Sequence, residues 1–448
     1  MCYAIPGQVK AINDKTVVVD YFGEEKRAIN DLINLNIGDY IYAQGGYVIE
    51  KVAPAQALEV LALWKETFFE LQEVDVRLSK LYFEEGYHDT KLSRILDRAL
   101  ERSSLSRSDL HYLFSVEEKA ANAFIYKCAN FLRQKYLKNS CCVHGIIEIS
   151  NICSQNCFYC GISSHNQQIK RYRMSEQEIV DTALSAIKDY GFKALVLQSG
   201  EDSFFSPDKI AKIIREIKKQ AGVLIAISFG EIGFDGLKTV YDAGARAMLM
   251  RFETSNPLVY SRLHPGRNLD TRIAHLKRAG ELGYLIMTGA LVGIPGQTPD
   301  DVFNDIFLAK ELNAEMFSFG PFLPHPNTPI AGYLPWDKDK IFKVLAIARI
   351  LDPENAKILV TTAFETLHPD ARKEGLLCGA NSVMLNVTPA KYRALYSLYP
   401  NRAHVSESIN SQIQDILALL RSLGRAPTDL GVSEKIFLME QSITEGAL

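Results

Sequence analysis

The chain has 448 residues, 47% of them hydrophobic and 23% charged, with a formal net charge of −3. That length exceeds one small core and suits a large domain joined to a smaller one, in a water-soluble globular protein. The near-neutral balance, without a Lys/Arg-rich block, excludes a nucleic-acid groove or an anionic membrane as the main partner.

The longest uncharged apolar stretch, about residues 282 to 296, is too short to span a bilayer and is interrupted by glycines. The start, MCYAIPGQVK, lacks the basic and apolar regions of a signal peptide. A cytoplasmic location is therefore expected. Thiols stay reduced there, so clustered cysteines point to metal binding or catalysis rather than disulfides.

In chain order, residues 1–53 alternate short apolar runs with turn residues, which predicts a small β-barrel domain. Residues 54–138 turn helical and read as a linker or cap. Residues 139–448 alternate strand and helix. Eight β-rich runs begin near 144, 194, 223, 246, 285, 315, 357 and 381, separated by amphipathic stretches such as SEQEIVDTALSAIKDYG, which opens on a Ser175–Glu178 capping box. Eight such units predict an α/β fold of the (β/α)8 type, with its active site at the C-terminal ends of the strands.

The first of these strands runs into CSQNCFYCG. Its spacing is Cys153-x3-Cys157-x2-Cys160. Structural zinc takes four closed ligands, usually in two separated pairs, and a redox dithiol needs only CxxC. Three clustered thiolates suit an iron–sulfur cube with one iron left for another ligand. Zinc completed by a distant Cys or His is the competing reading. Polar residues mark other strand ends: Gly200-Glu201-Asp202 after the second, Arg251-Phe252-Glu253 after the fourth and Thr361-Thr362 after the seventh. The fifth runs into GALVGIPGQT, whose glycines are expected to let backbone approach a ligand closely.

The cysteine motif, with aromatic Tyr159 before its last cysteine, resembles the radical S-adenosylmethionine (SAM) superfamily. That resemblance implies one [4Fe-4S] cluster on Cys153, Cys157 and Cys160, with SAM on the fourth iron and cleaved to a 5′-deoxyadenosyl radical. It implies cofactor contacts from Tyr159, and from Gly200 and Glu201 to the SAM amino group. LQSGED, RFETSNP, GIPGQT, GPFLPHPNTP and CGANSVMLNVTPAKYRALYSLYP resemble the HydE family, radical SAM maturases of [FeFe]-hydrogenase, over about residues 90 to 435. This implies that Glu253 and Arg272 bind SAM, Arg272 pairing its carboxylate. It implies that Arg251, Thr361, Thr362, Met384 and Tyr392 line a substrate cavity. The implied substrate is a small organometallic one, a cysteine-bound Fe(CO)2(CN) unit. The implied partners are other hydrogenase maturation proteins and an electron donor such as ferredoxin or flavodoxin. The chain departs from the family at Ala247 and His144, where arginine occurs, and at Phe252, where histidine does. Of the cysteines that hold a second cluster in some relatives only Cys378 is matched, so Cys128, Cys141, Cys142 and Cys378 are expected to be buried thiols.

MCYAIPGQV and IGDYIYAQGGYVIEKV resemble the HypC family, chaperones of [NiFe]-hydrogenase maturation. Cys2 matches the cysteine that helps hold an iron–cyanide–carbonyl unit there, and Gln44 stands where that family has histidine. An iron-holding domain and a plain docking domain are both compatible with this. Two other functions share these features: a radical SAM mutase acting on an amino acid, like methylornithine synthase, and a non-catalytic carrier of an iron unit.

Overall fold

The computed structural model describes residues 3–31, 33–81 and 89–431. Strands β1 (Gly7–Asn13), β2 (Thr16–Tyr21), β3 (Glu24–Ile29), β4 (Tyr40–Gln44) and β5 (Tyr47–Val52) close into a barrel in the order β1-β2-β3-β5-β4. Alternation along TVVVDY sends Val17, Val19 and Tyr21 inward, where they meet Val9, Ile41 and Val48. Pro54 starts α1 (Pro54–Ser79), a position where its missing N–H costs nothing. Phe68 and Leu71 of α1 pack on the small barrel.

Helices α2 (Thr90–Leu100), α3 (Arg107–Ser115) and α4 (Lys119–Leu137) follow. Buried charges pin α1 to α4: Arg133 donates to both Asp75 oxygens, at 2.7 and 2.8 Å, and Arg425 Nε lies 3.0 Å from Asp75 Oδ1. These helices do not cover the mouth of the large barrel. They extend its outer helical layer, and Lys343 donates to the carbonyls of Phe114 and Val116 at the end of α3.

The large domain runs β6 (Ser140–Ser150), α5 (Glu176–Lys188), β7 (Ala194–Ser199), α6 (Pro207–Gln220), β8 (Leu224–Ser228), α7 (Phe234–Asp242), β9 (Ala247–Leu249), α8 (Pro257–Leu263), α9 (Leu269–Leu282), β10 (Leu285–Thr288) and β11 (Leu291–Val292). It continues with α10 (Pro299–Glu311), β12 (Met316–Phe317), β13 (Gly320–Pro321), α11 (Lys338–Leu351), β14 (Lys357–Ile358), α12 (Thr362–Leu367), α13 (Ala371–Leu377), β15 (Ser382–Asn386), α14 (Ala390–Arg393), α15 (Ile409–Ser422) and β16 (Ala426–Pro427). The parallel order is β14-β12-β10-β9-β8-β7-β6-β15, and a parallel bridge from Leu359 to Ser382 joins its two edges. All eight expected strands form, so the fold is the expected (β/α)8 barrel with a small β domain. No helix among the described residues is long and apolar enough to cross a membrane.

Inward side chains fall into layers. Val196, Ala226, Ala247, Met287, Met316 and Met384 form an apolar middle. Above it Glu148, Gln198, Ser228, Arg251, Thr361 and Asn386 make a polar layer toward the strands' C-terminal ends. The small β domain sits at the opposite end, with Tyr42, Tyr47 and Ile49 against Ala194 and Leu224.

Candidate active site

A cavity of about 320 Å³ occupies the C-terminal half of the barrel and reaches the cysteine loop. Cys153, Cys157 and Cys160 line it, all partly buried. Extensive hydrogen bonding builds the loop. Arg171 Nη1 donates to the carbonyls of Asn151 and Ile162, at 2.6 and 2.7 Å, and Nη2 to those of Ser163 and Asn166, at 2.7 and 3.0 Å. The loop then leans on the end of β7: Ser154 N–H donates to the Glu201 carbonyl at 2.9 Å, and Gln155 Nε2 to Glu201 Oε2 at 2.7 Å. Gly200 permits this approach, since a Cβ there would stand 2.3 Å from the Ile152 carbonyl oxygen and 2.8 Å from Cys153 Cβ.

The three sulfurs fit a cluster better than a single ion. Among the described residues the only group of three or more candidate ligands converging within 4.8 Å is His368, Asp370 and Glu374, so the three thiols do not converge that closely, and a donor set of three thiols suits an iron–sulfur cube more than a closed four-ligand zinc site. Burial raises all three thiols, Cys160 to about 12, so only metal ligation would keep them as thiolates. Tyr159 backs the loop: its hydroxyl donates to His264 Nε2 at 3.0 Å, and His264 Nδ1 donates to the Tyr260 carbonyl at 3.0 Å. Burial lowers His264 to about 3, which keeps this ring neutral.

Opposite the thiols lies a rim of alternating charge. Arg272 Nε donates to the Arg251 carbonyl at 2.6 Å, and its Nη1 lies 3.2 Å from Glu231 Oε1 and 3.9 Å from Glu201 Oε1. Burial works against this cation, but Tyr260, Glu253, Glu201 and Glu231 hold it above the ordinary arginine range. Burial raises Glu201, against Arg272 and Arg267. Arg267 reaches both Glu201 and Glu231, at 3.6 and 2.5 Å. Glu253 has φ +70°, a left-handed conformation costly for a non-glycine residue. Its Oε2 lies 3.3 Å from Arg251 Nε, an ion pair without hydrogen-bond geometry.

The structure brings Arg251, Thr361, Thr362 and Met384 to the same cavity as Cys153, Cys157, Cys160, Tyr159, Gly200, Glu201, Glu253 and Arg272. Tyr392 does not join them. It stacks on Tyr172, ring centroids 4.7 Å apart, and its hydroxyl donates to Glu178 at 2.9 Å, because the short helix α14 turns it outward. Tyr396 and Tyr399, in the irregular segment after α14, reach the cavity instead. The glycines of GALVGIPGQT have a packing role within the chain. A Cβ on Gly289 would meet the Ser318 carbonyl at 2.3 Å and one on Gly293 the Trp336 ring at 2.8 Å, so they allow chain to approach chain. Cys2 lies outside the described residues. Cys128, Cys141, Cys142 and Cys378 are buried, as expected.

Sequence reasoning missed Glu231, although the Gly-Glu of SFGEIG after β8 repeats that of QSGED after β7. It also missed Arg402, which reaches buried Glu148 at 2.5 Å and brings the 396–404 segment over the cavity. No local pattern announces that pairing across 254 positions.

Asp305 holds the loop after Glu253. It accepts from Ser255 N–H at 2.5 Å and from Gln297 Nε2 at 3.1 Å, and burial raises its carboxyl to about 7. The folded state therefore binds a proton that the unfolded chain, with its ordinary value of 3.8, releases first. This contribution is largest below pH ~4 and falls as the pH rises to about 7. Wild type is expected to lose about 2–3 kcal/mol more than Asp305→Asn between pH 5 and pH 8, at roughly 1.4 kcal/mol per unit. Urea denaturation at both pH values checks this, and parallel pH slopes would show that the carboxyl is not held neutral.

Residues 147–309 match the Radical SAM superfamily, and residues 1–64 match the HupF/HypC family. The [FeFe] hydrogenase maturase subunit HydE of Thermotoga maritima is 40% identical over 339 residues, 75% of this chain and 97% of that protein. A 3-methylornithine synthase of Methanosarcina acetivorans is 26% identical over 74% of this chain and 92% of that protein. Two solved structures share the fold. Methylornithine synthase (PylB) has a TM-score of 0.65 at 24% identity, over 77% of this chain and 99% of that one. The FeFe-hydrogenase maturase HydG from Carboxydothermus hydrogenoformans has 0.63 at 21%, over 83% and 85%. With its cysteine loop, charged rim and barrel cavity, this chain belongs to the HydE family of radical SAM enzymes and carries a HupF/HypC-family domain at its N-terminus.

Proposed function

We propose that this enzyme acts in [FeFe]-hydrogenase cofactor maturation, on a cysteine-bound iron–carbonyl–cyanide unit held in the barrel cavity. The observation that carries the reading is the continuity of one cavity from the three thiols to Arg251, Thr361, Thr362 and Met384. Cys153, Cys157 and Cys160 would hold one [4Fe-4S] cluster, and Gly200, Glu201, Glu253 and Arg272 would hold SAM. Together these groups, when bound, supply a 5′-deoxyadenosyl radical. Arg272 would exchange part of its present carboxylate pairing for the SAM carboxylate. Arg251 would attract an anionic substrate, Thr361 would offer a hydroxyl, and apolar Ile146, Leu249 and Met384 would exclude water beneath the reacting atoms. Cys2 and the N-terminal domain would handle the iron unit. Other hydrogenase maturation proteins and a ferredoxin or flavodoxin would be the cytoplasmic partners.

A radical SAM mutase acting on an amino acid is the second reading. It is favoured by the opposed charges of Arg402 and Glu148 inside the cavity, which suit a zwitterion. Anaerobic reconstitution with SAM and dithionite separates the readings. 5′-Deoxyadenosine formation stimulated by a cysteine–Fe(CO)2(CN) complex is expected. Stimulation by amino acids alone would favour the mutase, and no cleavage by a fully loaded protein would leave only an iron-unit carrier.

A further inference from the structure

The arginines around the cysteine loop differ in what neutralises them. Arg272 acts on Cys157 and Arg251 on Cys160, both from the cavity side. Each is tied to a carboxylate, Arg272 to Glu231 at 3.2 Å and Arg251 to Glu253 at 3.3 Å. Arg267 and Arg173 are tied likewise, to Glu231 at 2.5 Å and to Asp202 at 2.7 Å. Arg171 is not. Among the described residues no carboxylate pairs with it, and the charges that act on it are those of Cys153 and Cys160.

The backbone explains this placement. Ser150 and Arg173 form an antiparallel bridge, and Tyr172 N–H donates to Asn151 Oδ1 at 2.8 Å, so the strap that carries Arg171 runs back along the start of the cysteine loop. The guanidinium then spans both shoulders of the loop. The Asn151 carbonyl that it holds precedes Cys153, and those of Ile162, Ser163 and Asn166 follow Cys160. Carbonyl dipoles satisfy these N–H groups without cancelling the charge, which a guanidinium does not lose in a protein. The side chain is partly buried, so water screens that charge incompletely. Arg171 does not line the cavity, so it touches neither the SAM space nor the substrate space.

The potential of an iron–sulfur cluster follows the net charge and hydrogen bonding around it. Reduction moves one electron from a low-potential donor, which is oxidised, onto the cluster, and the site becomes more negative. A fixed cation beside the loop favours that state, and a cation already paired with a carboxylate favours it far less. We propose that Arg171 is a tuning residue, an unpaired guanidinium on the shoulders of the cysteine loop that raises the reduction potential of the cluster held by Cys153, Cys157 and Cys160. It acts through the cluster and not on a reacting atom. The proposal rests on the radical SAM chemistry alone and holds whichever substrate the barrel takes.

The test is a redox titration of the full chain with its cluster reconstituted, without SAM, followed by the electron paramagnetic resonance signal of the reduced cluster. Arg171→Gln can still donate to carbonyls but carries no charge. It should make the cluster about tenfold harder to reduce, a shift of about 59 mV to lower potential. Arg171→Lys keeps the charge and loses the planar fork. It should hold the wild-type potential, even where it takes up less iron. A wild-type potential in Arg171→Gln, or equal shifts in the Gln and Lys variants, would overturn the proposal and leave Arg171 as a staple of the loop. If Arg171→Gln takes up no cluster, Arg171→Met is titrated in its place with the same expected shift. Failure of both neutral variants to hold a cluster would likewise assign Arg171 to loop structure alone.

Discussion

Arg272→Ala should lower SAM affinity at least 100-fold and destabilise the domain by about 3–5 kcal/mol, the usual cost of leaving buried carboxylates without their cation. Both losses have one origin. The guanidinium sits between Glu201 and Glu231 and also donates to the Arg251 carbonyl, so it neutralises the rim and fixes the end of β9. Without it two carboxylates face each other with only Arg267 between them. A negative rim would repel the SAM carboxylate as well as lose its partner. Arg272→Lys should recover most of the stability but little of the affinity, since an ammonium cannot reproduce the fork. Equilibrium dialysis with SAM and guanidinium denaturation measure the two effects. Unchanged affinity in Arg272→Ala would assign the rim to folding alone.

Asp75→Ala should be the more damaging change on the opposite flank, costing about 3–5 kcal/mol and more than Arg133→Ala. Asp75 is 1% exposed and is the carboxylate shared by Arg133 and Arg425, which are equally buried. Burial, with the nearby Arg133, already lowers Arg425 to about 9. Removing Asp75 strands two guanidiniums, whereas removing Arg133 leaves Asp75 paired with Arg425. Because this network ties α1 to α4 and to the segment before β16, the loss should appear in global unfolding and not in SAM affinity. Equal destabilisation by the two variants would mean that the charges are satisfied independently.

Much of the fold was legible from local rules. Period-two alternation in TVVVDY and the capping box at Ser175 depend only on neighbouring residues, and both form as expected. The cysteine triplet was equally legible, because a loop of nine residues carries its own ligand geometry. Its supports were not. Arg171 reaches four carbonyls that its sequence neighbours give no reason to expect, and Arg402 meets Glu148 from the segment that follows the neighbouring strand β15. Tyr392 shows how narrow the margin is: the end of a one-turn helix separates a residue stacked on the outer flank from Tyr396 in the cavity.

By itself, then, the sequence determined the strand–helix alternation, the position of the cysteines on the first strand's loop and the small β domain before the barrel. These follow from periodicity, turn chemistry and the short reach of a metal-binding loop. Only the tertiary structure decided which charges share the rim, which tyrosines enter the cavity and where the small domain docks. Those outcomes depend on barrel closure, which sets side chains hundreds of positions apart within hydrogen-bonding distance, and no local pattern encodes a contact that exists only once the sheet has joined its own edges.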